Sequence, residues 1–479
     1  MNKELIGYDE NGQVFDMGKY VKRIIKDDYK IKIKEIYQAY KIGELNTKGI
    51  VETTLTEEGN LEHKKLVISY PYEWPPSMFK KAIIFHLKLF SDIKTSNLVL
   101  KDALPNNIVF EDTAPVFIDF LSLVFNENLK NEKWLNPENY LDPRFSIIDK
   151  MLIPYIILPF LFIFREDYKV AKEILSIRSC NTTGIPPTWR EFFSPKILKI
   201  SQHKRKYFKS YQIALKILWL RRSLINKPNG FDKFINKLTL LIKEIDITPN
   251  KSAYSSYYDE KKEANSMAEV SNFKPKQKTV YDILKSKKAK SVLDIGSNTG
   301  WYSVISNRMG AKVISLEQDL SCSDIVFKKA ERDGLNILPL MVSFKDLTKE
   351  IYGISSSNPI YNSKDFKKIP LYRPGIERFH SELVLVLGLS HHLLLGEGYS
   401  IEKMFEILSQ LTQKTLVLEY IDLNDEKIVT EPEFFKNISK YDTTSYSLDK
   451  FLDAGKEYFQ SVFIHESNPA TRKLLVFDK

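Results

Sequence analysis

The nine residues Val292-Leu-Asp-Ile-Gly-Ser-Asn-Thr-Gly300 constrain the fold more than any other part of this 479-residue chain. An apolar, β-branched run, Ser291–Ile295, carries an acid at its end and enters a loop with two glycines, and a helical pattern begins near Trp301. Glycine lets a backbone turn sharply and come close to a ligand. The dinucleotide fingerprint reads G-x-G-x-x-G. Here the spacing is Gly296-x-x-x-Gly300, with Asp294 two residues before the first glycine, so the tight pyrophosphate turn is missing. A second acid, Glu317, closes the next apolar run, Lys312–Leu316. A carboxylate in that place can accept two hydrogen bonds from ribose hydroxyls. Asp319 is a second choice close by.

Leu383–Leu387 and Thr415–Glu419 repeat the apolar type, and helical patterns lie between the runs, as in Ser321–Asp333 and Ile401–Thr412. Continuous apolar strands alternating with amphipathic helices predict a parallel sheet covered on both faces. Such an open α/β domain binds ligands at the carboxyl ends of its strands. A polar, turn-rich stretch, Ile247–Tyr258, marks a boundary near residue 250. The chain therefore reads as two domains, 1–250 and 251–479.

The Asp294-to-Gly300 block resembles motif I of the class I S-adenosylmethionine (SAM)-dependent methyltransferases. The resemblance implies an open Rossmann-like sheet in residues 251–479 and SAM as cofactor. By position it implies that Asp294, Gly296, Asn298 and Gly300 line the cofactor and that Glu317 holds its ribose. The third-strand position that commonly carries an acid beside adenine in that family falls here at Ser343. A wider set of blocks occurs in order: Ile68-Ser-Tyr-Pro-Tyr-Glu-Trp74, Leu100-Lys-Asp-Ala103, Pro115-Val-Phe-Ile-Asp119 and Leu389-Ser-His-His-Leu393. Together they are similar to bacterial two-part methyltransferases, among them the NoeA-like host-specificity proteins of nodulating bacteria. That likeness implies the cofactor and leaves the substrate open.

His391 and His392 follow the run Leu383–Leu387 after a short turn, which places them at the carboxyl edge of the sheet. Methyl transfer to a hydroxyl needs the nucleophile within about 3–3.5 Å of the methyl and a group to take its proton. A neutral imidazole suits that task. Either histidine is the expected general base; the plainer alternative is that they cap a helix or pack. The seven histidines show no metal-ligand spacing with an acid, so no metal site is expected.

In the first half, Asp102-Ala-Leu-Pro-Asn-Asn107 precedes Phe117-Ile-Asp119. An Asp, an Asn five residues later and an Asp after an apolar strand follow the order of a phosphotransferase catalytic loop and metal-binding acid. Residues 60–245 therefore resemble a kinase-type lobe, preceding the second domain as an α+β accessory domain. Several parts are missing: Lys101 stands beside Asp102, no His-Arg-Asp precedes it, and residues 1–60 hold no glycine-rich loop. The expectation is a degenerate lobe with a vestigial site at Asp102, Asn107 and Asp119. Residual kinase activity is the alternative.

Charge separates the halves. Residues 1–255 hold 40 basic and 30 acidic groups, and residues 256–479 hold 31 of each, so the whole surplus of +10 lies in the first half. Residues 196–243 alone carry 13 Lys or Arg against one acid, Asp232, with Phe208, Tyr211, Leu215, Leu218 and Trp219 interleaved at helical spacing. The segment reads as a basic amphipathic helix or two. Its basic face is solvated, or it meets an anionic partner: nucleic acid, glycan or lipid. Two cysteines, Cys180 and Cys322, exclude a disulfide scaffold and fit a reducing cytosol. The N-terminus has no secretory apolar run, and Met151–Phe164 falls short of the ~20 residues of a membrane span and contains Pro154 and Pro159. A buried helix pair broken by proline is expected there. The combined expectation is a cytoplasmic methyltransferase that O-methylates a glycan or other polar small molecule. The rival is a protein that binds or modifies RNA or other nucleic acid through residues 196–243.

Overall fold

Alternation of apolar runs decides the two large sheets among the described residues. The computed structural model describes residues 4–9, 11–176, 189–193, 204–255, 267–349, 351–352, 370–440 and 444–479. Cys180 and residues 196–203 of the basic segment lie outside these. The protein divides into two units, Met1–Thr248 with Ile351–Tyr372, and Pro249–Glu350 with Arg373–Lys479.

The first unit begins with an antiparallel sheet of five strands in the order β1-β2-β3-β5-β4: β1 (Glu4–Asp9), β2 (Gly12–Asp16), β3 (Tyr20–Ile25), β4 (Thr53–Leu55) and β5 (Leu61–Lys64). Helix α1 (Lys30–Ile42) connects β3 to β4 and buries Ile33, Ile36 and Tyr40. Helix α2 (Pro76–Ile93) starts on a proline, whose missing N–H costs nothing in the first turn. Two small antiparallel pairs follow, β6 (Leu98–Leu100) with β9 (Leu123–Phe125) and β7 (Ile108–Glu111) with β8 (Ala114–Phe117).

The apolar run does not break at its proline. Phe145–Phe164 is one helical stretch of 20 residues, α3, long and apolar enough to cross a membrane by length and composition, but 83% of its most apolar window is buried within the protein. Residues Ile148–Ile157 wind as a π-helix around Pro154. Proline lacks an N–H and clashes with the carbonyl four residues back. A wider turn relieves that clash, so the helix continues where a break was expected. Helices α4 (Lys204–Leu224) and α5 (Gly230–Glu244) complete the elements used below.

The second unit is a seven-stranded sheet in the order β12-β11-β10-β13-β14-β16-β15. Its strands are β10 (Ser291–Ile295), β11 (Lys312–Leu316), β12 (Ile337–Leu340), β13 (Ser381–Val386), β14 (Thr412–Ile421), β15 (Ser461–Glu466) and β16 (Arg472–Asp478). The first five are parallel, with Val292 opposite Val313 on one side and Leu383 on the other. β16 runs antiparallel to both β14 and β15, so the sheet is mixed where an all-parallel sheet was expected. The short turn between β15 and β16 allows only an antiparallel return. Helices α6 (Pro275–Lys287), α7 (Trp301–Arg308), α8 (Leu320–Asp333) and α9 (Ile401–Leu411) cover the strands. Val280, Ile283 and Leu284 of α6 and Trp301, Val304 and Ile305 of α7 share one buried core with Val292, Val313 and Leu383. The strand order reverses between β10 and β13, and the loops that leave these strands meet at that switch point, where open α/β sheets bind ligands.

Candidate functional site

A cavity of about 640 Å3 opens at the carboxyl ends of the parallel strands, and the residues that line it all belong to the second unit. Asp294, Gly296, Asn298, Glu317, Asp319, Ser343, His391 and His392 line it together. Residues spread over a hundred positions of sequence thus meet because each follows, or closes, a neighbouring strand.

Glu317 ties together the loops that follow β10 and β11. One of its carboxylate oxygens accepts the Asn298 backbone N–H at 2.7 Å, and the other accepts the Asp319 N–H at 2.8 Å. Asn298 sits at φ 52°, a left-handed conformation that Asn tolerates better than most residues. Its side-chain oxygen accepts the Thr299 N–H at 2.6 Å, and its amide donates to the Tyr254 carbonyl at 3.2 Å. A carboxylate has about four acceptor positions, so Glu317 keeps room for two hydroxyl donors from the cavity. Loss of water around it pushes its pKa up to about 6. Asp319 is committed differently: it caps α8 by accepting the Cys322 N–H at 2.9 Å and takes the Ser252 hydroxyl at 3.0 Å. Asp294 is buried, accepts the Ser303 hydroxyl at 2.6 Å, and is likewise pushed up to about 6 by burial.

Ser343 reaches the cavity, but its hydroxyl donates to Asp346 at 2.9 Å, so it serves the local turn. Val342 and Phe344 flank it and give that end of the cavity apolar walls. Gly300 is not among the lining residues. It sits at φ +77°, and a Cβ there would lie 2.9 Å from Val326 Cγ2, so it is a packing glycine under α8. Gly300→Ala should therefore destabilise the fold by about 1–3 kcal/mol, while SAM affinity per folded molecule stays unchanged; denaturant melts and a binding isotherm on the same sample check both.

Two residues escaped sequence reasoning. Lys276 at the start of α6 lines the cavity and pairs with Glu419 of β14 at 2.6 Å. Glu419 is fully buried and also accepts the Ser467 hydroxyl at 3.3 Å. The partners stand 143 residues apart, and neither lies in a recognisable motif. The pair places a basic group beside Asp294 and the glycine loop.

On the loop after β13, His391 is 2% exposed, and neither ring nitrogen has a hydrogen-bond partner among the described residues. The His391 and His392 rings lie 4.2 Å apart, and both pack on Phe435. Burial, then the neighbouring His392, Arg472 and Lys427, holds the His391 pKa well below its usual value. Burial, then Lys427, lowers His392 to about 4. Both rings are neutral near pH 7. An unpartnered buried imidazole costs about 1–3 kcal/mol unless something in the cavity engages it.

The first unit also gathers its three singled-out residues. The Asn107 amide donates to the Asp102 carbonyl at 3.2 Å, and the Asp102 pKa rises to about 6, through burial and then through Asp119. Arg23 of β3 pairs with Asp119 at 3.2 Å. A guanidinium thus neutralises Asp119. This donor set does not fit a divalent ion.

No protein-family model matches the chain. It is similar to an O-methyltransferase from Bacillus cereus in complex with S-adenosylhomocysteine, at 14% identity and TM-score 0.29, over 48% of this chain and 92% of that one. It is also similar to the O-methyltransferase TomG from Streptomyces achromogenes in complex with SAM, at 12% identity and TM-score 0.28, over 48% and 91% of the two chains. By sequence, the chain is similar to the nodulation protein NoeA of Rhizobium meliloti strain 1021, at 24% identity over 380 residues, spanning 77% of this chain and 72% of that protein.

Proposed function

We propose that the second unit is a SAM-dependent methyltransferase that O-methylates a glycan or other polar small molecule. The observation that carries this reading is Glu317, whose two oxygens fix the loops after β10 and β11 while it lines the cavity. The lining residues fit the cofactor. Glu317 suits the ribose hydroxyls, the walls at Val342 and Phe344 suit a flat base, and Lys276 beside Asp294 suits an amino-acid end with one charge of each sign. When bound, SAM supplies an electrophilic methyl group on a sulfonium. The chain's own task is to orient an acceptor hydroxyl and take its proton. His391 or His392 suits the second, because both line the cavity and both imidazoles are neutral near pH 7. Phe434, Lys436 and Glu397 also line the cavity, and aromatic and charged groups of this kind suit a polar, sugar-like acceptor. Incubation of the protein with radiolabelled SAM and fractionated cell extract tests this reading: label transferred to a small polar fraction supports it, and none in any fraction counts against it.

The first unit reads as a degenerate kinase-like accessory domain. The Arg23–Asp119 pair supports the degenerate form over an active one. Calorimetric titration with ATP and magnesium should give no saturable heat. Tight binding that is lost in Asp119→Asn would reverse this assignment.

A further inference from the structure

Helix α4 turns one apolar face inward and a second one outward. Tyr207, Ser210, Ala214, Ile217 and Leu220 are buried against the first unit. Phe208, Tyr211, Leu215 and Trp219 follow at steps of three, four and four residues, and so share a different face. Phe208 is 66% exposed and Trp219 is 69% exposed, with Tyr211 and Leu215 also open to solvent. The Phe193 ring packs 4.7 Å from Tyr211 and extends the patch. Isolated apolar residues on a surface need no explanation, but a contiguous stripe of four does.

The charged residues of α4 itself are all basic. Lys209, Lys216 and Arg222 are exposed on the same helix. Arg221 and Lys206 are different: they pair with Asp149 and Glu166 and hold the helix in place. Asp232, the one acid of residues 196–243, is engaged by Lys94 and Arg144. The outward side of α4 therefore presents aromatic and aliphatic groups among cations that have no acidic partner among the described residues. A second copy of this chain would bring like charges together on the same face. Trp, Tyr and Phe beside lysines instead match the boundary between headgroups and acyl chains of an anionic bilayer, where ring and cation are both satisfied.

We infer that the outer face of α4 docks the protein on an anionic lipid surface. The aromatic stripe enters the headgroup boundary, and Lys209, Lys216 and Arg222 meet lipid phosphates. Flotation of the full chain with vesicles tests this. Wild type should float with vesicles of phosphatidylcholine and phosphatidylglycerol and stay behind with phosphatidylcholine alone. Phe208→Ser with Trp219→Ser should cut the bound fraction about tenfold or more, since two exposed anchors are lost. Lys209→Glu with Lys216→Glu should cut it as well and remove its salt dependence. Circular dichroism and SAM binding should match wild type in both variants, because none of these residues lines the cavity. The inference is overturned if wild type ignores anionic vesicles, or if the aromatic variant floats as wild type does. It is equally overturned if sedimentation shows a dimer that this variant dissociates, or if single-stranded RNA is retained through these residues while vesicles are not.

Discussion

Glu317→Gln should weaken SAM binding by about a hundredfold, read as Kd by calorimetry on protein whose circular dichroism is unchanged. Both carboxylate oxygens accept a backbone N–H, from Asn298 and from Asp319. An amide offers one acceptor, and its NH2 turns a donor against the other N–H. An unsatisfied or opposed donor costs about 1–3 kcal/mol, and a charge-assisted bond to the ligand adds about 1.5–3 kcal/mol. A hundredfold corresponds to ~2.7 kcal/mol, inside that sum. The same carboxylate predicts a pH dependence. Glu317 and Asp294 both have pKa values pushed up to about 6, so protonation below that value removes the acceptors and SAM affinity falls. Stability of the free protein moves the other way. A carboxyl whose folded pKa is raised binds more protons in the folded state between its unfolded value and about 6, so its contribution grows as pH falls through that window and is lost as pH rises through it. The rise in Tm caused by SAM should therefore shrink between about pH 7.5 and about pH 5, without a matching loss in the Tm that these two groups set for the free protein.

His391→Gln should lower kcat by about 10²–10⁴-fold, the usual span for a lost general base, with SAM affinity nearly unchanged. His391 lines the cavity, and its nitrogens find no partner among the described residues. Single-turnover transfer of labelled methyl separates this role from a structural one. If the imidazole only packs on Phe435, the variant loses Tm and keeps its rate. Because the His391 pKa lies well below the ordinary value, its protonation should produce no fall in kcat between pH 8 and about pH 6.5. A fall centred near 6.5 would assign the proton to another group.

The site was legible where chemistry sits next to a strand end. Asp294, Gly296, Glu317 and the His391–His392 pair each follow or close a short β-branched run, and such runs announce themselves locally. The Ser291–Ile295 and Lys312–Leu316 strands have the bounds their sequence implies. Contacts made across the fold left no such trace. Lys276 and Glu419 pair over 143 residues. Gly300 looked like a ligand glycine because the motif places it there, yet Val326 on another helix gives its physical reason. The β15–β16 hairpin was missed because β15 is an edge strand whose exposed Phe463 and Ile464 weaken the inward–outward alternation. On α4, apolar residues lie on two faces, so periodicity showed a helix and could not say which face was inside.

The central claim is that the switch-point cavity of the second unit binds SAM. Equilibrium dialysis of the full wild-type chain against radiolabelled SAM tests it most directly. The account predicts one SAM retained per chain, displaced by S-adenosylhomocysteine and held about a hundredfold more weakly by Glu317→Gln. A folded wild-type protein that retains no label would contradict it.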